Sequence, residues 1–304
     1  MNDSRSERAF LCSIGRILVR VVLLSALAVA AILALRAHQL LQAYLQPARR
    51  AATGDLLRAQ GIPFQEITLT TDDGVALRAF DVSSRNRALI LVAHGHGATI
   101  DESVVAMFAR HGYGVVAWDF RAHGRSGGER STLGYAEVLD VKAALELALG
   151  RPAVDRVGIW GDSMGGATAI EAAARYPAIQ AVVADSAFDT LENAFVWRVP
   201  ALLRSLVRLY AFWETGLWPQ DIVRPVDSIA RIAPRPVLLI QGLADRAIPP
   251  QSAHRLFEAA GEPKFLWLEA GVGHSAMRRV YPEVYERRVI GFFEWALFGR
   301  GSFP

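Results

Sequence analysis

From residue 64 onward, the hydrophobic positions follow two patterns that are typical of strands. Residues 64–70 alternate between apolar and polar side chains, a turn sequence follows at 71–74, and residues 75–82 return, which predicts a hairpin. The second pattern is a short run that is apolar throughout, as in strands covered on both faces. Six such runs occur, at residues 88–93, 114–118, 156–160, 181–184, 237–240 and 265–268.

Helical periodicity fills most of the intervals between these strands. The predicted helices cover residues 102–111, 135–149, 165–176, 250–260 and 281–298. Strands that alternate with long helical crossovers form a mostly parallel sheet with helices on both faces. The fold class predicted is therefore α/β, with the opening hairpin as an antiparallel edge.

One segment, residues 188–233, breaks this alternation with a long helical excursion that is rich in aromatic and leucine residues. We interpret it as a helical cap above the strand ends, which favours a substrate with an at least partly apolar acyl or alkyl group. The alternative is an ordinary packed subdomain in which these side chains are core. The side chains concerned are Phe195, Trp197, Leu202, Leu203, Leu206, Leu209, Tyr210, Phe212, Trp213 and Trp218.

The N-terminal region has the pattern of a membrane anchor. Residues 1–20 are polar and basic, residues 21–35 are apolar apart from Ser25, and residues 17–19 extend the run to the length that spans a bilayer, about 17–20 residues. A cleaved signal peptide shares this pattern, but residues 36–42, directly after the apolar run, contain no small-x-small cleavage site. A buried amphipathic helix is the third possibility. The expected organisation is an anchor in 1–46, a linker in 47–61 and a globular domain in 62–304.

Composition narrows the function classes. The net charge is only +3 and the arginines are scattered without a long basic run, so nucleic-acid binding has no support. Cys12 is the only cysteine, which excludes an intramolecular disulfide and a cysteine metal cluster.

The most informative motif is the sequence G-D-S-M-G at residues 161–165, between a predicted strand and a predicted helix. In this context a serine is forced into a sharp turn, and the two glycines remove side chains that would collide. The hydroxyl of Ser163 then stands clear of the sheet, and the helix behind it favours developing negative charge. Ser163 is the predicted nucleophile; the alternative is an incidental serine in a tight turn.

A serine nucleophile needs a base that is itself held by a carboxylate. His274 lies in a glycine-rich loop after the last predicted strand and is the expected base, with His123 as its rival. Asp245 follows the preceding strand and is the expected acid, with Asp185 as the alternative. The order Ser163, Asp245, His274 along the chain is the order found in the α/β-hydrolase fold.

Attack on a carbonyl also needs two backbone donors for the oxyanion. The amide of Met164, directly after the nucleophile, is one predicted donor. The loop after the first apolar strand supplies the other, with the amide of His96 as first choice and that of Gly97 as second.

The same loop contains the sequence His94-x-His96, which could begin a metal site. A binuclear metallohydrolase would continue as H-x-H-x-D-H, but Ala98 and Thr99 stand at the next positions. We therefore expect no metal, and we expect His94 to brace the loop by hydrogen bonding.

Together these motifs resemble those of the serine α/β-hydrolase superfamily over residues 64–298. The resemblance includes residues 119–126, D-F-R-A-H-G-R-S, which are similar to the family's D-x-R-G-H-G-x-S loop with Ala122 in place of a glycine. The membrane segment and the G-D-S-M-G turn at residues 161–165, called the elbow below, resemble those of bacterial membrane-anchored hydrolases. An α/β-hydrolase fold with a helical cap and an N-terminal transmembrane helix is what this resemblance implies.

The implied activity is hydrolysis of a carboxylic ester, thioester or lipid ester through an acyl-enzyme, without metal or organic cofactor. A serine peptidase or amidase of the same fold and a non-catalytic binding protein are the alternatives. The expected partners are a small-molecule or lipid acyl substrate and the membrane. The arginines around residues 17–35 favour a cytoplasmic N-terminus, which would place the domain on the periplasmic side of a bacterial inner membrane.

Overall fold

The computed structural model describes residues 3–218 and 221–303, without the side chains of residues 3–9, Cys12, Val196 and Trp197. Its strands are β1 (Gln65–Thr70), β2 (Ala76–Val82), β3 (Ala88–Ala93), β4 (Gly114–Trp118), β5 (Arg156–Asp162), β6 (Ile179–Asp185), β7 (Val237–Gly242) and β8 (Lys264–Glu269). Its helices are α1 (Asp3–Leu45), α2 (Asp55–Ala59), α3 (Glu102–Arg110), α4 (Glu137–Leu149), α5 (Met164–Arg175), α6 (Leu191–Arg198), α7 (Arg204–Thr215), α8 (Pro225–Ser228), α9 (Gln251–Ala259), α10 (Met277–Val280) and α11 (Pro282–Phe298).

The eight strands form one sheet in the order β1-β2-β4-β3-β5-β6-β7-β8. β1 and β2 pair antiparallel, β2 joins β4 antiparallel, and every pair from β4 to β8 is parallel. Consequently the carboxyl ends of the six strands from β4 to β8 lie along one edge of the sheet. This agrees with the predicted mostly parallel sheet and its antiparallel hairpin.

Two apolar layers sandwich the sheet, which explains the uninterrupted apolar runs of the central strands. α3 and α11 bury their apolar faces on one side, and α4, α5 and α9 bury theirs on the other. All six residues of β3 and all five of β4 are buried, so neither strand has a polar face. The predicted α/β fold is confirmed.

Between β6 and β7, residues 188–233 form a helical segment that contains α6, α7, α8 and single 3-10 turns at Ala201–Leu203 and Ile229–Ile232. We call this segment the cap. Only part of its apolar surface is buried: Phe195, Val207 and Ala211 are enclosed, whereas Leu202 and Trp213 are 72% and 83% exposed. The cap therefore presents apolar side chains to its surroundings as well as to the rest of the chain. The side chain of Trp197 lies outside the described residues.

Helix α1 is one continuous helix of 43 residues, about 65 Å long. It is the one helix among the described residues that is long and apolar enough to cross a membrane, a test that a signal sequence also passes. Its C-terminal end packs on the cap, because Ala37, Leu41 and Leu45 are buried against Val207 and neighbouring cap residues. The remainder of the helix projects from the domain.

Residues 47–61, predicted to be a linker, pack against the domain instead. They contain α2, whose Leu57 is fully buried in the layer formed by α3 and α11. Glu102 at the start of α3 accepts hydrogen bonds from the backbone amides of Thr53, Gly54 and Leu56. This segment therefore fixes the chain between α1 and the sheet.

Replacing Leu57 by alanine should lower the free energy of unfolding by about 2–5 kcal/mol, because it opens a cavity in a packed layer. Leu56→Ala is the matched control, since Leu56 is its neighbour in α2 and is 39% exposed. Thermal unfolding of the full-length protein in detergent would measure both. Equal melting temperatures for the two variants would contradict the packing of α2.

Candidate active site

Ser163 lies at a strained turn between β5 and α5. Its backbone adopts φ 53° and ψ −114°, and its amide donates a hydrogen bond of 2.8 Å to the carbonyl of Asp185. A Cβ on Gly165 would overlap the carbonyl oxygen of Ala93, and one on Gly161 would overlap the carbonyl oxygen of Gly165. The turn can therefore close only because both positions are glycine.

The three side chains predicted for acyl transfer form one hydrogen-bonded chain. His274 Nε2 lies 2.9 Å from Ser163 Oγ, and His274 Nδ1 lies 2.7 Å from Asp245 Oδ2. A carboxylate can only accept, so Nδ1 carries the proton and Nε2 is left to accept from the serine hydroxyl. In this arrangement the imidazole can act as a general base toward Ser163.

Asp245 is buried and is held by three donors besides His274. Its Oδ1 accepts from the amides of Ala247 and Ile248 at 2.7 and 2.9 Å, and its Oδ2 accepts from Gln241 Nε2 at 2.9 Å. Burial raises the pKa of Asp245, but the bond to His274 and these amides outweigh it and hold the pKa below its usual value. Gln241, which the sequence analysis did not single out, fixes the carboxylate that faces His274.

The loops that carry Asp245 and His274 touch each other through their backbones. The amide of Ala244 donates to the carbonyl of Val272 at 2.9 Å, and a Cβ on Gly242 would overlap that carbonyl. The glycine at the end of β7 therefore allows the two loops to approach.

The base must reach across the sheet, because β8 is three strands from β5, a distance of roughly 14 Å. Ser275, the residue after His274, is bonded at both of its ends. Its amide donates to Ser186 Oγ at 3.1 Å, and its hydroxyl donates to the carboxylate of Asp162. Ser275 thus fastens the loop of His274 over the end of β6 and onto β5.

Asp185, the alternative acid, has different partners. Tyr285 donates to its Oδ2 at 2.9 Å and Ser186 donates to its Oδ1 at 2.9 Å, while Tyr285 in turn accepts from Trp160 Nε1. Burial, and then the nearby carboxyl of Asp162, raise the pKa of Asp185 to about 7. The structure places Asp185 beneath the elbow, where it supports the turn rather than pairing with His274.

The loop after β3 is held by histidine side chains. The amide of Gly97, the second choice for the oxyanion, donates to His123 Nε2 at 3.0 Å and is thereby occupied. His123 Nδ1 lies 2.9 Å from the carbonyl of Arg121, and burial lowers the pKa of His123. Its ring is therefore neutral and acts as a brace rather than as the rival base. The His96 amide remains the candidate donor beside Met164.

His94 braces the same loop through both ring nitrogens. Nδ1 lies 2.7 Å from the carbonyl of Gly95, and Nε2 accepts from the amide of Phe120 at 3.0 Å. Burial lowers the pKa of His94 to about 4, so the ring is neutral. With both nitrogens bonded to backbone, His94 has no lone pair to offer a metal ion.

The motif at residues 119–126 keeps its loop shape although Ala122 replaces a glycine. Ala122 adopts φ 61°, the left-handed conformation that the usual glycine would take without strain. Asp119 stabilises the loops on either side, since it accepts from Thr99 Oγ1 at 2.6 Å and from the Arg125 amide at 3.0 Å.

Known proteins resemble this chain over most of its length. A family model described as serine aminopeptidase, S33, matches residues 84–225. An uncharacterised protein of Mycobacterium tuberculosis is 30% identical over 234 residues, which cover 74% of this chain and 76% of that protein. The uncharacterised protein YfhR of Escherichia coli is 26% identical over 246 residues, covering 77% and 81%.

A solved structure, the esterase Pf2001 of Pyrococcus furiosus, superimposes with a TM-score of 0.69 at 26% identity. The match covers 82% of this chain and 98% of the esterase. The chain belongs to the serine α/β-hydrolase superfamily. The fold and the family predicted for this hydrolase are thus confirmed.

A cavity opens at Ser163 of the hydrolase, between the sheet edge and the cap. It encloses about 440 Å³ between atoms, mouth included, and its walls are mostly apolar. Its lining comprises Tyr44, His96, Leu133, Ser163, Met164, Phe188, Leu191, Ala194, Phe195, Arg198 and Ile248. Tyr44 was not predicted, because it lies at the end of α1, far from the motifs along the chain.

The packing of the elbow gives a test that does not depend on activity. Gly165→Ala should lower the free energy of unfolding by about 1–3 kcal/mol or more, because the added methyl group overlaps the Ala93 carbonyl. Gly273→Ala is the control, since a Cβ on Gly273 would meet no atom within 4 Å. Denaturant unfolding should separate the two, and a Gly165→Ala protein as stable as Gly273→Ala would refute the packing described for the turn.

Proposed function

We propose that this hydrolase cleaves carboxylic esters, including thioesters or lipid esters, through a covalent acyl-enzyme on Ser163. The observation that carries the proposal is the hydrogen-bonded chain from Ser163 through His274 to Asp245 at a strained elbow. A strained, partly buried serine with a base at 2.9 Å has the geometry that nucleophilic catalysis requires.

In the first step, His274 Nε2 takes the proton of Ser163 as Oγ attacks the substrate carbonyl. Asp245 stabilises the resulting imidazolium and keeps its orientation. The carbonyl oxygen becomes an oxyanion, and the amides of Met164 and His96 are the proposed donors to it. His274 then gives the proton to the leaving alcohol or thiol as the acyl-enzyme forms.

In the second step, water attacks the acyl-enzyme and His274 again acts as base. The proton passes to Ser163 as the carboxylic acid leaves, which restores the starting state. These steps use protein groups and water, so the proposal includes no metal or organic cofactor.

The lining of the cavity favours an ester over the substrate of an aminopeptidase, the activity in the description of the matching family model. An aminopeptidase must hold the charged amino terminus of its substrate, for which a carboxylate in the pocket is the natural partner. Among the described residues around Ser163, the lining contains no aspartate or glutamate, and its charged member is Arg198. An uncharged or anionic acyl substrate fits this electrostatic environment better.

Membrane attachment through α1 is the second part of the proposal. The side chains of residues 17–35 are apolar except for Arg20 and Ser25, and those of the central run are exposed, which is stable in a bilayer and unfavourable in water. We propose that the anchor is retained and that the catalytic domain lies on the periplasmic side of a bacterial inner membrane.

The nucleophile can be tested with a fluorophosphonate probe and p-nitrophenyl butyrate. Ser163→Ala should lose labelling and hydrolysis, and Asp245→Asn should lower kcat by roughly 10⁴-fold because the imidazole loses its orienting acceptor. Ser205→Ala is the matched control, because Ser205 is exposed on α7. Labelling of the Ser163→Ala protein at the level of the control would assign the nucleophile elsewhere, and an unlabelled wild-type protein would favour a non-catalytic role.

The retained anchor predicts that the full-length hydrolase stays in the membrane fraction after extraction at alkaline pH, because a spanning helix is not released by breaking ionic contacts. Intact-mass measurement of the purified protein should include residues 17–35. A soluble product that lacks these residues would instead identify a cleaved signal peptide.

A further inference from the structure

A second cavity lies behind the one at Ser163, and part of its wall is the C-terminal end of α1. It encloses about 490 Å³ between atoms, mouth included. The lining comprises Leu41, Tyr44, Leu45, Thr132, Leu133, Leu191, Phe195, Ala211, Thr215, Leu217 and Ile222. Four of these residues also line the cavity at Ser163, namely Tyr44, Leu133, Leu191 and Phe195. The two cavities are therefore neighbours that share a wall.

The second cavity suits an apolar group, because the hydroxyls of its two threonines are already bonded within the protein and Tyr44 is the one other lining residue with a polar atom in its side chain. Thr215 Oγ1 donates to the carbonyl of Ala211 at 2.6 Å, and Thr132 Oγ1 donates to Glu137 at 2.6 Å. Away from the Tyr44 hydroxyl, a polar group placed there would lose its hydration without gaining a side-chain partner. The rest of the lining is aliphatic or aromatic, which is the environment that a hydrocarbon chain requires.

Helix α1 is joined to the catalytic loop as well as to this cavity. Leu41 and Leu45 are each 4% exposed, and the carbonyl of Tyr44 lies 2.8 Å from His96 Nε2. A carbonyl can only accept, so the His96 ring donates to it. The last turn of α1 therefore contacts the loop that contains the proposed oxyanion donor.

From the second cavity, α1 and α7 run side by side toward the apolar run of α1, which is the segment proposed to cross the membrane. α7 runs parallel to α1, since His38 packs against Tyr210 with ring centroids 5.7 Å apart and Gln42 lies 3.5 Å from Glu214. The start of α7 and the turn before it are then level with the end of the apolar run of α1. Leu202 in that turn is 72% exposed, as expected for a side chain at a lipid surface.

We propose that the two cavities form one acyl channel whose wall is the C-terminal end of the membrane helix, and that the substrate is a long-chain acyl ester drawn from the adjoining bilayer. The scissile carbonyl lies at Ser163, and the hydrocarbon chain extends past Tyr44 between α1 and the cap. This inference rests on the proposed function, because the chain enters the channel as the acyl part of an ester that Ser163 attacks.

The channel can be tested by placing a larger side chain in the second cavity, away from Ser163. Ala211 lines the second cavity and not the first, so Ala211→Leu should obstruct a long chain more than a short one. The full-length hydrolase in phosphatidylcholine vesicles would be assayed with p-nitrophenyl butyrate and p-nitrophenyl dodecanoate. We expect the ratio of kcat/KM for dodecanoate to that for butyrate to fall at least tenfold, because losing the place of even one methylene group in an apolar pocket costs about tenfold or more.

Two further variants make the result decisive. Ala43→Leu adds the same side chain to an exposed position on α1 and should leave the ratio unchanged. Leu217→Trp narrows the same cavity from the loop after α7, so it replaces Ala211→Leu if that variant fails to fold. Equal losses with both esters, or an unchanged ratio in the filled variants, would overturn the channel while leaving ester hydrolysis intact. A wild-type protein that neither cleaves the esters nor reacts with a fluorophosphonate would reject the proposed function itself.

Discussion

The site depends on one backbone contact, at which the start of α5 passes the end of β3. Gly165 approaches the carbonyl of Ala93 so closely that no side chain fits between them. That contact places the Met164 amide beside the loop that continues from Ala93 through His96. The nucleophile and both proposed oxyanion donors are consequently set by the same close approach, and a small displacement of the turn would affect all of them.

Distance across the sheet is the second constraint, and polar bonds of the loop that carries His274 help to overcome it. His274 begins three strands away from Ser163, yet the loop crosses to it because Ser275 is bonded to both Ser186 and Asp162. Ser186 is buried and Asp162 is half-buried, and loss of hydration raises the pKa of Asp162. Removing a donor there would leave a buried acceptor unpaired, which is costly. The second position of the G-x-S-x-G motif is thus occupied by a residue that positions the base.

The sequence alone predicted the structural features that depend on a local pattern of residues. Apolar runs located the strands within one or two residues. The two glycines that allow the turn at Ser163 lie within a motif of five consecutive residues, so the sequence alone reveals them. The sequence favoured Asp245 over Asp185, but pattern alone could not show which carboxylate meets His274, since each follows a buried strand. The carboxylate that bonds His274 is determined by which of the two loops approaches His274 in the folded chain. The packing of α2 was missed because one buried leucine in a five-residue helix carries no periodic signal.

Tyr44 could not be predicted because it lies far along the chain from the motifs of the site. Its position shows that the end of α1 is part of the cavity wall and not only an anchor. From the sequence, residues 1–46 are predicted to be an anchor separate from the globular domain. In the structure, however, Leu41, Tyr44 and Leu45 line a cavity that adjoins the site. A soluble fragment without α1 would lack this wall and the carbonyl that holds the His96 ring. Its preference for acyl chains would therefore describe an incomplete pocket. In the proposed architecture, attachment to the bilayer and recognition of an apolar substrate use the same helix.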